Sequence, residues 1–151
     1  MVSRILAIGD FHIPSRARWV PKPLELEVSK ETYDLVVCTG DLTSLAVMEW
    51  LRKLGKKVYA ARGNMDRLDL PVQIVIRVDQ VKVGINHGFD VYPRGDVEKL
   101  LEKAKELCVD VLVTGHTHYP QVIRVEPHGV VIVNPGSATG VWGGDEKASL
   151  I

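Results

Sequence analysis

The residues of this chain that could do chemistry stand in five short motifs, each beside a glycine. In chain order the motifs are GDFH, GDLTS, GNMD, NHG and GHTH, and they contain four of the five histidines. Together they supply carboxylate, amide and imidazole groups from Asp10, His12, Asp41, Asn64, His87, His116 and His118. Oxygen and imidazole ligands without a thiolate suit borderline divalent metals. The pattern therefore predicts a site for two such ions.

Each motif taken alone is weaker evidence than the set. Alone, Asp41 could belong to a turn or a helix cap, Asn64 to a generic turn, and His87 to the core as a hydrogen-bonded histidine. The most specific motif is GHTH. In an extended segment His116 and His118 would point the same way, so that one short loop could serve two adjacent metals. The order of all five motifs favours a metal-type site over unrelated turns.

Composition narrows the class of protein. The chain has 151 residues, 46% of them apolar and 25% charged, which is ordinary for one globular domain. The formal net charge is zero, so no overall charge attracts the chain to nucleic acid or to anionic membrane. No apolar run approaches the roughly 18 residues of a membrane span, and the first residues do not resemble a signal peptide.

The two cysteines indicate the cellular compartment. Cys38 follows an apolar run and is predicted to be a buried core thiol, whereas Cys108 follows a predicted helix. Because the two are not clustered, we expect both to be reduced and structural. The expected location is therefore cytoplasmic.

Short apolar runs alternate with amphipathic helices along the chain. Turn residues bound predicted strands at 4–8, 35–39, 58–61, 73–78, 81–85, 111–114, 121–125 and 130–133. Two helices are predicted, over 45–54 with Ser44 as N-cap and Gly55 just past the end, and over 97–107 with Asp96 as N-cap. A short helix is expected near 24–29.

Every motif falls just past the end of a predicted strand. Ligands bind at the carboxyl ends of strands in open α/β sheets, where the loops converge. Five loops can therefore meet at one point. Hairpins mixed with βαβ units favour two packed sheets with helices outside over one doubly wound sheet.

The motif order resembles the calcineurin-like metallophosphoesterase superfamily. The compact size and the segment Asn134-Pro135-Gly136-Ser137 are similar to YfcE-type phosphodiesterases. The stretches GDFHIPSR, CTGDL, YPRGD and NPGSATG also resemble the phosphoesterase-like subunits of the retromer coat, the vacuolar protein sorting 29 group. The resemblance covers essentially the whole chain. It implies an α/β fold, a four-layer αββα sandwich of two mixed β-sheets flanked by helices.

The resemblance also implies a dinuclear phosphodiesterase, in which a metal-bridged hydroxide attacks a phosphate diester. It assigns Asp10, His12 and His118 to the first metal, Asn64, His87 and His116 to the second, and Asp41 to both as a bridge. Asp41, Asn64 and His87 are the expected catalytic residues. Mn²⁺ is the expected ion, with Ni²⁺, Zn²⁺ or Fe²⁺ as alternatives.

Three arginines are candidates for holding the phosphate oxygens of the substrate. They are Arg16 and Arg94, with Arg18 as a further candidate. For each of them, ordinary solvation at the surface is the competing interpretation.

Two residues depart from the family pattern where many relatives have histidine. Met65 follows Gly-Asn in the third motif and Phe89 follows His-Gly in the fourth. Both changes remove a proton donor, and general acid catalysis typically contributes about 10²–10⁴-fold. We therefore expect slow turnover or a preference for good leaving groups. Asp66 could be the acid, although an ion pair with Arg62 or Arg67 is the favoured interpretation.

A further departure concerns the end of the sequence. A strand is predicted to begin at Ala148, and the sequence stops at Ile151, whereas relatives usually run on through further strands. The domain prediction is a single metallophosphoesterase domain over 1–151, and the absence of the family's last strands is one interpretation of it.

The alternative function is a non-catalytic scaffold that binds protein partners, as the retromer subunit does. In that subunit the position of Asp41 is Asn and that of Asn64 is Asp, so the present residues favour catalysis. Three tryptophans help to discriminate between the functions. An exposed cluster of Trp19, Trp50 and Trp142 would indicate a partner site, and Trp142 is predicted to be a cleft wall. A homo-oligomer is also possible.

Overall fold

The computed structural model describes residues 3–141 and 148–151. Its strands are β1 Ile5–Ile8, β2 Tyr33–Cys38, β3 Gly55–Ala60, β4 Gln73–Val78, β5 Val81–Asn86, β6 Val111–Val113, β7 Pro120–Val125 and β8 Val130–Pro135. Its helices are α1 Lys22–Val28, α2 Leu45–Leu54 and α3 Val97–Glu106. Each predicted element is present, with bounds that differ by a few residues at most.

The strands form two sheets. β1, β2 and β3 make a three-stranded sheet in which both pairings are parallel. The other sheet has the order β4-β5-β6-β8-β7, with antiparallel hairpins at its edges and parallel pairs in its centre. The parallel central strands therefore end at the same edge of the sheet, as the βαβ units of the sequence predict.

The two sheets and the helices on their outer faces make four layers, and three apolar clusters pack between these layers. Between the sheets, Ala7 and Val37 pack with Ile85 and Val113. A second cluster joins the three-stranded sheet to the buried side of α1 and α2, and a third joins the five-stranded sheet to α3. The prediction of two sheets flanked by helices is therefore confirmed.

The helix caps follow the sequence, with one exception. The Ser44 side chain accepts a hydrogen bond from the Ala46 N–H, and the Asp96 side chain accepts one from the Lys99 N–H. Gly55 does not close α2 in a left-handed turn, because its φ of −145° is extended and it begins β3 directly. A Cβ on Gly55 would lie 2.7 Å from Val36 Cγ2, so close approach to β2 explains this glycine.

The last described residues run along the edge of the three-stranded sheet. Ser137 and Ala148 form a parallel bridge, and the Ile151 N–H donates to the Ala7 carbonyl at 3.0 Å. The expectation of strand-like pairing from Ala148 is met by these bonds. Trp142 lies outside the described residues. None of the helices described is both long and apolar enough to cross a membrane.

Packing of α2 on the three-stranded sheet should dominate its contribution to stability. We expect Leu51→Ala to lower the free energy of unfolding by about 2–5 kcal/mol, because Leu51 is fully buried and its removal leaves a cavity. Leu45→Ala on the same helix is the matched control, since Leu45 is 58% exposed. Urea unfolding of both variants measures the difference, and equal losses would contradict this packing.

Candidate metal centre

The loops at the carboxyl ends of the strands bring the predicted site residues together. Two groups have candidate ligand atoms within 4.8 Å of one another: Asp10 with His12 and His118, and Asp41 with His87 and His116. Asn64 is exposed and lines a cavity of about 50 Å³ together with residues of both groups. All seven residues therefore surround one place, and their assignment as metal ligands stays a prediction.

Asp41 lies between the two groups. Its Oδ2 atom is 3.4 Å from His12 Nε2 and 3.1 Å from His87 Nε2. Its Oδ1 atom accepts a hydrogen bond of 2.8 Å from the Met65 N–H. One oxygen is thus held by the backbone, while the other faces an imidazole of each group, which is the placement that a bridging carboxylate needs.

Asp10 is arranged in the same way. Its Oδ2 atom accepts a hydrogen bond from the His116 N–H at 3.1 Å. Its Oδ1 atom is buried without a hydrogen-bond partner, and it lies 3.4 Å from His118 Nε2 and 3.7 Å from His87 Nε2. A buried acceptor without a partner costs about 1–3 kcal/mol, more when it is charged. A divalent cation would satisfy this oxygen, so the residues present fit the predicted ions.

Two of the four imidazoles are held neutral. Burial lowers the pKa of His12 and of His116 to about 4 in each case. Burial lowers the pKa of His87 as well, but the hydrogen bond to Asp41 and the carboxylate charges outweigh it and raise that pKa above the ordinary value. Burial also lowers the pKa of His118, but the Asp10 carboxylate close to its ring prevails and raises that pKa above the ordinary value. A metal must displace any proton from these nitrogens, so ion binding is expected to weaken in acid.

Backbone carbonyls orient two of the histidine rings. His87 Nδ1 lies 2.9 Å from the Thr39 carbonyl, and His118 Nδ1 lies 3.1 Å from the Val141 carbonyl. A proton on Nδ1 leaves Nε2 with its lone pair turned toward the carboxylates. This is the usual way in which a protein fixes the tautomer of a metal-binding histidine.

The expectation of an extended GHTH segment is wrong. His116 and His118 both have left-handed backbones, with φ of 72° and 64°. The tight turn sends His116 to the group of Asp41 and His118 to the group of Asp10. One short loop still serves both groups, but through curvature rather than alternation.

Close packing explains why glycine accompanies the motifs. A Cβ on Gly63 would lie 2.1 Å from Asp41 Oδ1, and a Cβ on Gly115 would lie 2.7 Å from Asp10 Oδ2. A side chain at either position would push a carboxylate out of place. Both glycines are therefore needed by the carboxylates beside them.

The ion pair expected for Asp66 with Arg62 or Arg67 is wrong, whereas its role as a general acid stays a prediction. Asp66 is buried and forms none of the ion pairs found among the described residues; its carboxylate instead accepts 2.8 Å hydrogen bonds from the N–H groups of Asp41, Gly63 and Thr43. Burial raises the pKa of Asp66, while these N–H groups favour the charged form. With three backbone donors around it, Asp66 holds the second and third motifs together.

The arginines differ in where they lie. Arg16 and Arg94 line the cavity beside His12 and His116, whereas Arg18 does not line it and is exposed. Binding of phosphate oxygens by Arg16 and Arg94 stays a prediction. The tryptophans Trp19 and Trp50 are half-buried and stack edge to face with centroids 5.6 Å apart against the core. They form no exposed cluster.

The end of β8 and the segment after it support the first and fifth motifs, a role that the sequence reasoning missed. Ser137 Oγ donates to the Asp10 carbonyl and Thr139 Oγ1 to the Phe11 carbonyl, both at 2.8 Å. The Asn134 side chain donates to the Gly115 carbonyl at 3.2 Å. Small hydroxyl and amide residues just past a strand were the available signal, but nothing in the sequence names their distant partners.

Comparison with known proteins places these observations in a family. Residues 4–151 match the calcineurin-like phosphoesterase superfamily domain. A probable metallophosphoesterase of Methanocaldococcus jannaschii is 41% identical over 132 residues, which are 87% of this chain and 66% of that protein. The chain thus spans just under two-thirds of the length of this relative.

Solved structures of Vps29 proteins are among those that share the fold. Vacuolar protein sorting 29 from Cryptosporidium parvum has a TM-score of 0.87 and 32% identity, covering 93% of this chain and 77% of that one. The Entamoeba histolytica Vps29 complexed with zinc has a TM-score of 0.85 and 35% identity, covering 96% of this chain and 79% of that one.

The position of Asp66 predicts its effect on metal binding. We expect Asp66→Asn to weaken Mn²⁺ affinity by about 10–100-fold, because an amide nitrogen would face backbone N–H groups and release the Asp41 loop. Isothermal titration calorimetry with Mn²⁺ measures the change, and Asp69→Asn, an exposed carboxylate on the same loop, is the matched control. If the Mn²⁺ affinity is unchanged and the variant loses activity only toward esters with poor leaving groups, Asp66 is instead the general acid.

Proposed function

This chain belongs to the calcineurin-like phosphoesterase superfamily, and we propose that it is a phosphodiesterase that works with two divalent ions. The observation that carries the proposal is the position of Asp41, whose Oδ2 atom faces His12 and His87 from different groups. An ordinary buried carboxylate would be neutralised by one partner. A carboxylate set between two imidazole groups suits a bridge between two cations.

The proposed ligands are the residues that surround Asp41: Asp10, His12 and His118 on one side, and Asn64, His87 and His116 on the other. Such ions, when bound, stabilise charge on phosphoryl oxygens and lower the pKa of water to near neutrality. Mn²⁺ is the proposed ion, because oxygen and imidazole donors without thiolate suit it.

The protein's own residues would bind and orient the ester. The cavity beside His12 and His116 is small, with a volume of about 50 Å³, and is the proposed place of the phosphate group. Arg16 and Arg94 line it and would neutralise the phosphate oxygens. Hydrolysis joins a water oxygen to phosphorus and breaks one P–O ester bond, and the departing alcohol takes up a proton.

The third motif provides no acid for that proton. Met65 lines the cavity but has no proton to donate, and Asp66 is turned away to the backbone. Phe89 lies with its ring centroid 6.1 Å from that of His87 and also lacks a donor. The expected substrates are therefore diesters whose leaving group departs without help.

The second candidate function is a scaffold that binds a protein partner. Exposed apolar side chains in and beside the metal motifs favour it, among them Met65 at 48% exposure and Tyr119 at 54%. The structural similarity to Vps29 proteins also supports it. Asp41 favours catalysis, since a scaffold has no need of a carboxylate held between two imidazole groups.

The proposed reaction has a direct test. With Mn²⁺ added, the protein should hydrolyse bis-p-nitrophenyl phosphate, and Asp41→Asn should lower kcat/KM by more than about 100-fold, beyond the effect usual for a partner of a ligand. Release of p-nitrophenolate measures the rate, and Asp69→Asn controls for a lost surface charge. If neither the wild type nor the variants are active with any divalent ion, the scaffold function is favoured.

A missing proton donor can be restored. We expect Met65→His to raise kcat toward phenyl esters by up to about 10²–10⁴-fold, because the imidazole would supply the proton that phenolate needs. Toward p-nitrophenyl esters the same variant should change little, as that leaving group needs no proton. Met65→Gln, which has similar length and no acid, is the control, and an equal gain in it would contradict the acid role.

A further inference from the structure

A second cavity lies directly beside the metal centre. Its volume is about 370 Å³, far larger than the roughly 50 Å³ of the cavity between the ligand groups. Met65 lines both cavities. A molecule that places a phosphate between Arg16 and Arg94 can therefore extend past Met65 into the larger space, which we call the side groove.

The side groove combines three kinds of wall. Leu45, Met65 and Leu68 are apolar, and Leu45 and Met65 are 58% and 48% exposed although apolar contact would favour their burial. Hydroxyl groups come from three further lining residues, Ser15, Thr43 and Ser44. A cation comes from Arg67, which is exposed to solvent.

The walls of the side groove are fixed to the loops of the metal centre. Ser15 Oγ donates to the His12 carbonyl at 3.2 Å, and Thr43 Oγ1 donates to the Ile13 carbonyl at 2.7 Å. The Thr43 N–H is held by Asp66, which also holds the Asp41 N–H. A group in the groove is thus kept in a set position relative to Asp41, as specificity in a phosphate ester requires.

We propose that the side groove binds the ester group that stays on the phosphate, and that this group is a nucleoside bearing a second phosphate. The inference rests on the proposed phosphodiesterase function and names its substrate class. Apolar walls suit the base, hydroxyl groups suit the sugar, and Arg67 suits the second phosphate. A flat apolar protein contact would leave Arg67 without a partner of opposite charge, whereas a second phosphate provides one.

The experiment compares diesters with one leaving group and different retained groups. Methyl p-nitrophenyl phosphate, thymidine 5′-p-nitrophenyl phosphate and its 3′-phosphorylated form all release p-nitrophenolate, so their chemical step is alike. We expect KM to fall in that order. Leu45→Ser should raise KM by about threefold for both nucleoside esters, and Arg67→Gln by about fivefold for the 3′-phosphorylated ester alone.

Matched controls keep the result specific. Leu26→Ser and Arg77→Gln change an exposed leucine on α1 and an exposed arginine on β4, and neither should alter any KM. Equal KM for the three esters, or no effect of Leu45→Ser and Arg67→Gln, would overturn the proposal while the phosphodiesterase function stands.

Binding gives a readout that does not depend on turnover. With Mn²⁺ present, calorimetry should show thymidine 3′,5′-bisphosphate binding at least about tenfold more tightly than inorganic phosphate, with the advantage reduced in Arg67→Gln. Equal affinities would overturn the proposal even in a protein that hydrolyses nothing. Loss of all hydrolysis with retained bisphosphate selectivity would remove the proposed function and leave a nucleotide-binding groove.

Discussion

The structure depends on holding two buried carboxylates close to four imidazoles. Asp10 and Asp41 each give one oxygen to a backbone N–H of another motif and turn the other oxygen toward the histidines. Backbone donors cannot rotate away as side chains can, so each carboxylate is fixed before any ion arrives. The cost is a buried oxygen without a hydrogen bond, Asp10 Oδ1, which the rest of the fold must offset.

Three apolar interfaces offset that cost from a distance. The sheets pack on each other through Ala7, Val37, Ile85 and Val113, and the helices cover the outer faces. The motif loops themselves contribute strain, since Asp10, Asp41 and His116 have left-handed backbones that cost an L-residue about 1–3 kcal/mol. Stability is thus concentrated in the strands, while the loops carry conformational strain and an electrostatic cost, of which ion binding would relieve the electrostatic part.

The sequence is sufficient to predict which strands the site residues follow, but not the conformation of the loops that carry them. Hydrophobic runs end where the motifs begin, so the convergence of loops follows from α/β topology alone. The curvature of GHTH does not follow, because left-handed histidines run against local preference and arise only from packing. The contacts of Gly55 and Asp66 could not be predicted for the same reason, because their partners, Val36 and the Asp41 N–H, are distant in the chain.

Asp66 also links the missing proton donor of the third motif to the side groove next to that motif. This carboxylate holds the Asp41 and Thr43 backbones, and Met65 next to it has no proton to donate. Met65 instead forms a wall shared by the metal cavity and the side groove. A histidine there would be hydrated and would interrupt the apolar surface that Leu45 and Leu68 continue. In the proposed enzyme the third motif would therefore exchange acid catalysis for contact with the substrate, and such a site would gain selectivity where it gives up rate toward poor leaving groups.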